Sequence, residues 1–505
     1  MLIDARIVPP GKTIETDVCI VGAGAAGITL AKEFRDQSFR VCLLESGGLE
    51  PDERTQSLYS GEIAGLPYPA LTVARLRYFG GTTNHWMGWC QPLDDIDFES
   101  NDWIPHSGWP FDKSYLVPFY KRAQSILQLG IFAYEPEAWK MEETPPLPFP
   151  GDRVRTKIVQ FSPPTRFGRV YRDEISQAKN IATYLHANVT EIEATENGRT
   201  VTRLHVACLQ GNKFFVSARL FVVATGGIEN ARLLLLSNNI QKAGLGNQYD
   251  LVGRFFADHV LLKLGLILLS EPNISTTLYD PPWPTEKSFM GWLIPSPEML
   301  RGHKLGNFCF SLQETKWSDL LDEDDFLTSL SNVIRNLDHI ARTSFTRIIN
   351  RQASPKIFKL LTMFAPTPNP ESRVNLTAER DILGQSKVRL QWQLSASDKH
   401  TVRRSQEILA RELGRSGLGR LMTVLEMDDT VWSSSVEHGC HHMGTTRIHI
   451  DSKKGVVDQN CKVHGLSNLF IAGSSVFPTY GYAQPTLTIV ALALRLADHV
   501  KTLLN

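Results

Sequence analysis

No apolar run in this chain approaches the roughly 18 residues that a membrane-spanning helix needs. The longest, Val260–Leu269 and Leu487–Leu494, are short, and Lys263 interrupts the first. Residues 1–16 lack the basic start and apolar core of a secretory leader, so the sequence reads as cytoplasmic. Net charge is missing as well: lysine plus arginine and aspartate plus glutamate both number 53. With no global field and no long block of like charges, nucleic acid is not expected as a partner. Cysteine is sparse, 7 residues, odd in number and scattered, with Cys19 and Cys42 inside apolar segments. That pattern excludes a disulfide framework and fits a reducing compartment. No self-similarity at solenoid or propeller periods is visible. What remains is a globular chain of 505 residues, 42% apolar, long enough for two or three packed domains.

The most informative stretch is DVCIVGAGAAGITLAKEFRDQSFRVCLLE, residues 17–45. Asp17–Val21 reads as a short buried strand, Gly22, Gly24 and Gly27 fit GxGxxG, and Ala25–Phe34 carries apolar residues at helical spacing. Each glycine has its own task. The first permits the tight turn, the second lets backbone approach a pyrophosphate, and the third lets helix and strand pack closely. The diphosphate then meets the free N–H groups of Ala25 and Ala26 and the positive end of the helix dipole. Glu45 ends the second strand about 20 residues beyond the turn, where an acid accepts hydrogen bonds from both ribose hydroxyls of an adenosine, with Ser46 beside it.

After Glu45 the strand and helix alternation stops. Residues 46–110 are rich in Gly, Pro, Trp and Tyr and read as an extended segment over the cofactor. Residues 182–195, 201–209 and 213–218 read as three strands joined by Glu196-Asn197-Gly198-Arg199 and Gln210-Gly211-Asn212-Lys213 turns. LFVVATGGIENARLLLLS, 220–237, repeats the strand, glycine turn and helix pattern and is expected to return to the first sheet. From Val260 to Ser435 strands and loops alternate, with Trp292, Trp317, Trp392 and a helix over Ser397–Leu413. Residues 430–505 return to strand, glycine turn and a closing helix, Thr486–Leu504. The expected fold class is therefore α/β, α+β overall. The nucleotide domain is discontinuous (1–90, 180–260 and 434–505), and a sheet-based substrate domain takes 91–179 and 261–433. Arg335–Lys359 gathers Arg335, Arg342, Arg347, Arg351, Lys356 and Lys359, with His339, among Ile, Phe and Leu. A solvated helical face is the plain reading; a membrane-surface or partner-docking helix is the alternative.

Three further blocks, FGGTTNHWMGWCQP (79–92), ATGGIENARLLLLS (224–237) and the run from HHMGTT at 441 through FIAGSS and AQPTLT, resemble the glucose-methanol-choline (GMC) oxidoreductases. The likeness is greatest to the pyranose-oxidase-like and bacterial sugar dehydrogenase branches, and ESRVNLTAERDILGQSKVRLQW (371–392) looks like substrate-domain strands of that family. The resemblance implies a Rossmann-type FAD-binding domain, FAD rather than NAD, and oxidation of a secondary alcohol of a sugar, glycoside or polyol to a ketone. Oxygen, a quinone or a redox protein would accept the electrons. A flavin-containing lyase without net redox chemistry, or oxidation of a non-sugar alcohol, is the alternative. Gly80, Gly81, Thr82, Thr83 and Asn84 would face the pyrophosphate and flavin, as would Gly473 and Ser474 of FIAGSS. Val189, Ala224, Thr225 and Gly226 would also contact the cofactor. For His85, beside Trp86, two readings stay open: a covalent bond to the flavin 8α-methyl carbon, or non-covalent packing beside the dimethylbenzene ring. Met87 stands where pyranose oxidases carry a threonine, which weakens the case for oxygen.

Within the same resemblance His441 of HHMGT is the base, matched to proton abstraction by a histidine's ordinary pKa of about 6.5. It takes the hydroxyl proton while hydride passes to flavin N5. The second catalytic position, usually Asn or His before the proline, falls here on Gln484, whose extra methylene shifts the amide donor. Thr486 and the following helix would face the flavin N1–C2=O edge. His442 reads as structural. His438, Cys440 and His442 would share a face, but a structural zinc normally takes four ligands and no fourth is evident, so no metal is expected. Trp86, Trp89, Trp103, His106, Trp109 and Tyr115 suit stacking on a sugar ring or a plain core.

Overall fold

The computed structural model describes residues 1–139, 141, 144–270, 274–280, 288–315, 356–423, 432 and 436–504. An eight-stranded sheet holds the nucleotide motif. Its order is Leu2–Asp4, Ile181–Leu185, Val41–Leu44, Thr13–Val21, Lys213–Val223, Val201–Ala207 and Asn188–Ala194, with Leu469–Ile471 also paired to Lys213–Val223. The first five strands and Leu469–Ile471 run parallel; Val201–Ala207 and Asn188–Ala194 form an antiparallel meander on one side. Val18–Val21 and Val41–Leu44 are buried throughout, as central parallel strands covered on both faces must be.

The helix Ala25–Phe34 starts directly at Gly24, which gives no side-chain cap, and buries Ile28, Leu30, Ala31 and Phe34. It packs against the closing helix Pro485–Leu504, whose Leu487, Val490, Ala491, Leu494 and Ala497 face the core. Pro485 suits a first helical position, where no intrahelical N–H bond is required.

The second sheet is antiparallel, in the order Gly419–Thr423, Val260–Leu269, Ile357–Phe364, Phe308–Thr315, Phe289–Pro295, Val154–Phe161 and Trp89–Cys90. Glu437–His438 pairs with the start of Val260–Leu269, so the approach to His441 is tied to this second sheet. The mixed architecture, a Rossmann-type parallel sheet beside a second large sheet, agrees with the expected fold class.

Two details differ from the sequence reading, and a third places the strands expected over 371–392. Residues 182–195 are not one strand: Ile181–Leu185 and Asn188–Ala194 are separated by His186, at φ 62°, as the chain leaves the parallel ladder for the meander. Conversely, 213–218 and 220–223 are one continuous strand of 11 residues, Lys213–Val223, bordering different partners along its length. The segment 371–392 does not join the large second sheet. Arg373–Arg380 and Ser386–Trp392 pair in a three-stranded sheet with Gly61–Gly65, and Arg232 anchors it to the first body through an ion pair to Asp381 at 2.7 Å. The basic segment 335–359 lies outside the described residues up to 355, as does Trp317; Lys356 borders and Lys359 lies within the strand Ile357–Phe364. Among the described residues no helix is long and apolar enough to cross a membrane.

Candidate active site

Between the two large sheets runs a cleft of about 500 Å³, and it begins at the glycine turn. Gly22 and Gly27 serve packing. A Cβ on Gly22, at φ +100°, would stand 2.7 Å from the Ala224 carbonyl oxygen, and one on Gly27 only 1.8 Å from the Gly22 oxygen. Gly24 is different: a Cβ there would meet nothing within 4 Å, and the same holds for Gly226 and Gly473. These three line an open cradle, with Ala25 and Ala26 offering the uncapped helix N-terminus. Glu45 is buried and its carboxylate accepts from the Ala23 and Gly47 amides, both at 2.9 Å. Burial pushes its pKa up, against those amides. Ser46, Val189, Ala224 and Thr225 complete this end.

A buried ion cluster lies alongside. Glu229 pairs with Arg75 at 3.0 Å, Arg77 at 3.2 Å and Arg232 at 3.3 Å. Burial alone would raise the Glu229 pKa, but Arg232, Arg75 and Arg77 outweigh it and hold the carboxyl at about 2. Arg75 and Arg77 also lie over the Tyr59 ring, at 4.0 and 4.7 Å.

Midway along the cleft stand Gly81, Thr82, Thr83, His85 and Trp86. The Thr83 hydroxyl donates to the Gly80 carbonyl at 2.6 Å, while Thr82 Oγ1 accepts from the Leu76 amide and keeps its proton to give. Trp86 is pinned by its indole N–H on the Thr165 carbonyl at 3.0 Å. Three residues expected at the cofactor do not line the cleft. Gly27 sits under the Gly22 turn, Gly80 is packed against Gly168 and Asn84, and Asn84 donates its amide to the Phe79 carbonyl at 2.9 Å.

The catalytic candidates lie in the same cleft, where His441, Gln484, Thr486, Gly439, Cys440, Leu261, Met363 and Trp89 are part of the lining. Gln484 is buried; its Nε2 stands 3.7 Å from Met363 Sδ, and its Oε1 has no hydrogen-bond partner among the described residues. Thr486 stands in the first turn of the closing helix, after Pro485, and lines the cleft. Burial first, then His259 and His442, hold the His441 pKa well below the usual histidine range. His442 borders the cleft too, its ring against Tyr68 and Phe256, with burial and Arg75 lowering it to about 3. Among the described residues no three His, Cys, Asp or Glu side chains converge as a metal site.

Two residues that frame His441 were not singled out in the sequence. Asp258, fully buried, accepts from the His441 amide at 2.7 Å, the Cys440 amide at 3.0 Å and the Tyr68 hydroxyl at 2.6 Å. That clamp holds Cys440 at φ 55°, a conformation a non-glycine residue rarely takes. His259, also fully buried, meets His441 with the two Nδ1 atoms 2.8 Å apart, and its Nε2 lies 2.8 Å from the Gly481 carbonyl oxygen. The available signal was an acid and a histidine immediately ahead of an apolar strand.

Comparison with known proteins agrees with this layout. The sequence model of FAD dependent oxidoreductases matches residues 17–243, and that of the GMC oxidoreductase C-terminal region matches 368–493. The chain thus carries an FAD dependent oxidoreductase domain followed by a GMC oxidoreductase C-terminal domain. Its cofactor is FAD, and the open glycine cradle, free helix N-termini and buried Glu45 fit that group. The chain is 23% identical to the fructose dehydrogenase large subunit of Gluconobacter japonicus over 97% of its own length and 98% of that protein. It is 22% identical to 2-methyl-1,2-propanediol dehydrogenase of Mycolicibacterium austroafricanum over 96% of its own length and 95% of that protein. In fold it resembles pyridoxine 4-oxidase from Mesorbium loti, with a TM-score of 0.57 at 17% identity, covering 96% of this chain and 98% of the other.

Proposed function

We propose that the protein is a GMC oxidoreductase that oxidises a secondary alcohol of a sugar, glycoside or polyol to the ketone. Residues 1–90, 180–260 and 434–505 would form its FAD-binding domain, and 91–179 with 261–433 its substrate domain. The observation that carries this reading is that His441 and Gln484 line the same cleft as the Gly24, Gly226 and Gly473 cradle. FAD, when bound, supplies the hydride acceptor. His441 accepts the hydroxyl proton on Nε2, the ring nitrogen left free by the His259 contact. A base held neutral in this way is ready at any pH near 7 and contributes about 10²- to 10⁴-fold. Gln484 aims its buried amide at the substrate oxygen and orients the carbinol carbon. The first turn of Pro485–Leu504 turns its N–H groups and dipole toward the negative charge that gathers in the cleft during oxidation.

A second reading, oxidation of a non-sugar alcohol, draws on Leu261, Met363 and Met87, which add apolar side chains to the cleft lining. The experiment that tests both is anaerobic addition of sugars, glycosides, polyols and aliphatic alcohols to the FAD-loaded protein. Loss of the flavin's visible absorption with one class identifies the donor, and recovery with oxygen, a quinone or a redox protein identifies the acceptor. Conversion of substrate with no bleaching at any stage would favour a non-redox lyase instead.

A further inference from the structure

His259 and Asp258 are neighbours in sequence, so their side chains leave opposite sides of the backbone, and both reach the segment that carries His441. Asp258 takes the backbone amides of Cys440 and His441, while His259 takes the ring. The two imidazoles stand nearly perpendicular, at 85° with centroids 5.0 Å apart, and Tyr480 packs on the other side of His259 at 5.4 Å.

The proton positions in this chain of contacts follow from elementary valence. A backbone carbonyl only accepts, so the 2.8 Å contact between His259 Nε2 and the Gly481 oxygen requires a proton on Nε2. Burial keeps His259 neutral, with its pKa down at about 4, so it carries one proton and its Nδ1 is bare. A bare Nδ1 only accepts. The 2.8 Å contact between the Nδ1 atoms therefore requires that His441 carry its proton on Nδ1, leaving the lone pair on Nε2. The Gly481 carbonyl thus dictates the tautomer of His259, and His259 dictates that of His441.

We propose that His259 is a positioning residue that locks His441 in the tautomer with a bare Nε2, an inference that rests on the reading of His441 as the base. When His441 gains the substrate's hydroxyl proton on Nε2, its Nδ1–H stays donated to His259 and becomes a charge-assisted hydrogen bond. An amide carbonyl does not relay a proton onward. The proton therefore remains on Nε2 and leaves through the cleft, and His259 undergoes no net change. The other ionisable groups around the pair are Asp258, His438, Cys440 and His442, with Tyr68 and Tyr480. Tyr68 donates to Asp258 and Tyr480 to the Pro366 carbonyl, so neither competes for the Nδ1 contact.

The test uses FAD-loaded protein and an alcohol that reduces the parent, with His259→Ala, His259→Asn and His259→Gln made in both the parent and the His441→Ala background. Asparagine keeps an acceptor near the Nδ1 position; glutamine keeps a donor near Nε2. His259→Ala is expected to slow flavin reduction about 10- to 10²-fold with little change in KM. His259→Asn should recover most of that loss and His259→Gln little of it. The double variant His259→Ala/His441→Ala should be no slower than His441→Ala alone, because His259 acts only through His441. Parental rates in His259→Ala, better rescue by Gln than by Asn, or further loss in the double variant would overturn the proposal. Should His259→Ala fail to fold, ¹⁵N-histidine NMR of the parent decides: a proton on His441 Nδ1 supports the assignment, and one on Nε2 refutes it. Failure of the base assignment is separately visible, as parental reduction rates in His441→Ala with His259 intact.

Discussion

Replacing Gly24 with alanine separates ligand binding from folding more cleanly than any other change in the nucleotide motif. Gly24 has φ −86° and ψ −163°, extended backbone that alanine adopts without strain, and the added methyl would touch nothing within 4 Å. Restricting the unfolded chain at an unstrained site stabilises a protein by about 0.4–1 kcal/mol, so unliganded Gly24→Ala should melt at or slightly above the parent's temperature. On the proposed placement the pyrophosphate of bound FAD would lie against this turn, where the methyl would hold it off the Ala25 and Ala26 amides. Losing one charge-assisted hydrogen bond costs about 1.5–3 kcal/mol, or about 10- to 10²-fold in FAD affinity. Thermal unfolding of the unliganded protein and FAD titration by quenching of flavin fluorescence measure the two effects independently. Gly27→Ala is the control of opposite character, because its methyl would lie 1.8 Å from a backbone oxygen that cannot swing aside. It should destabilise the unliganded protein by about 3 kcal/mol. A Gly24→Ala protein that binds FAD as tightly as the parent would refute the placement of the pyrophosphate.

Gln484→Met keeps the length of the side chain and removes the amide; flavin reduction should slow about 10²-fold while FAD affinity changes little, which stopped-flow and titration together would read. The His259 pKa is lowered to about 4, below the ordinary 6.5, so the unfolded chain binds this proton first and the folded state loses stability as pH falls between those values. His259→Asn removes that sensitivity. Its stability relative to the parent should therefore improve by about 3 kcal/mol from pH 7 to pH 4, visible as converging melting temperatures. Acid precipitation of the FAD-loaded protein should release all of the flavin to the supernatant if His85 only packs beside it. Flavin retained by the parent but not by His85→Ala would show a covalent bond.

The parts of this architecture legible in the sequence are those where one local rule decides. The glycine turn, the helix Ala25–Phe34 and the terminal acid Glu45 needed only spacing, and they form as read because each glycine meets a separate steric demand. The continuous strand Lys213–Val223 was harder, since its two halves border different neighbours and its burial pattern changes along its length. The small sheet of Gly61–Gly65 with Arg373–Arg380 and Ser386–Trp392 depends on a pairing across more than half the chain, which no local pattern announces. His441 and Gln484 were singled out through a family motif, and both line the cleft. Asp258 and His259 were not, because a buried acid or histidine has the same letter whether it clamps a loop or fills a core. Asn84 does not line the cleft and bonds its own turn, since a short amide beside a glycine pair is well placed to bond the preceding carbonyl.

The most direct measurement of the central claim, that the His441 imidazole takes the substrate's proton in the FAD cleft, is anaerobic flavin reduction in His441→Ala compared with the parent at equal FAD occupancy. The expected result is unchanged FAD binding with reduction slowed about 10²- to 10⁴-fold. Reduction at the parental rate by the same alcohol would contradict it.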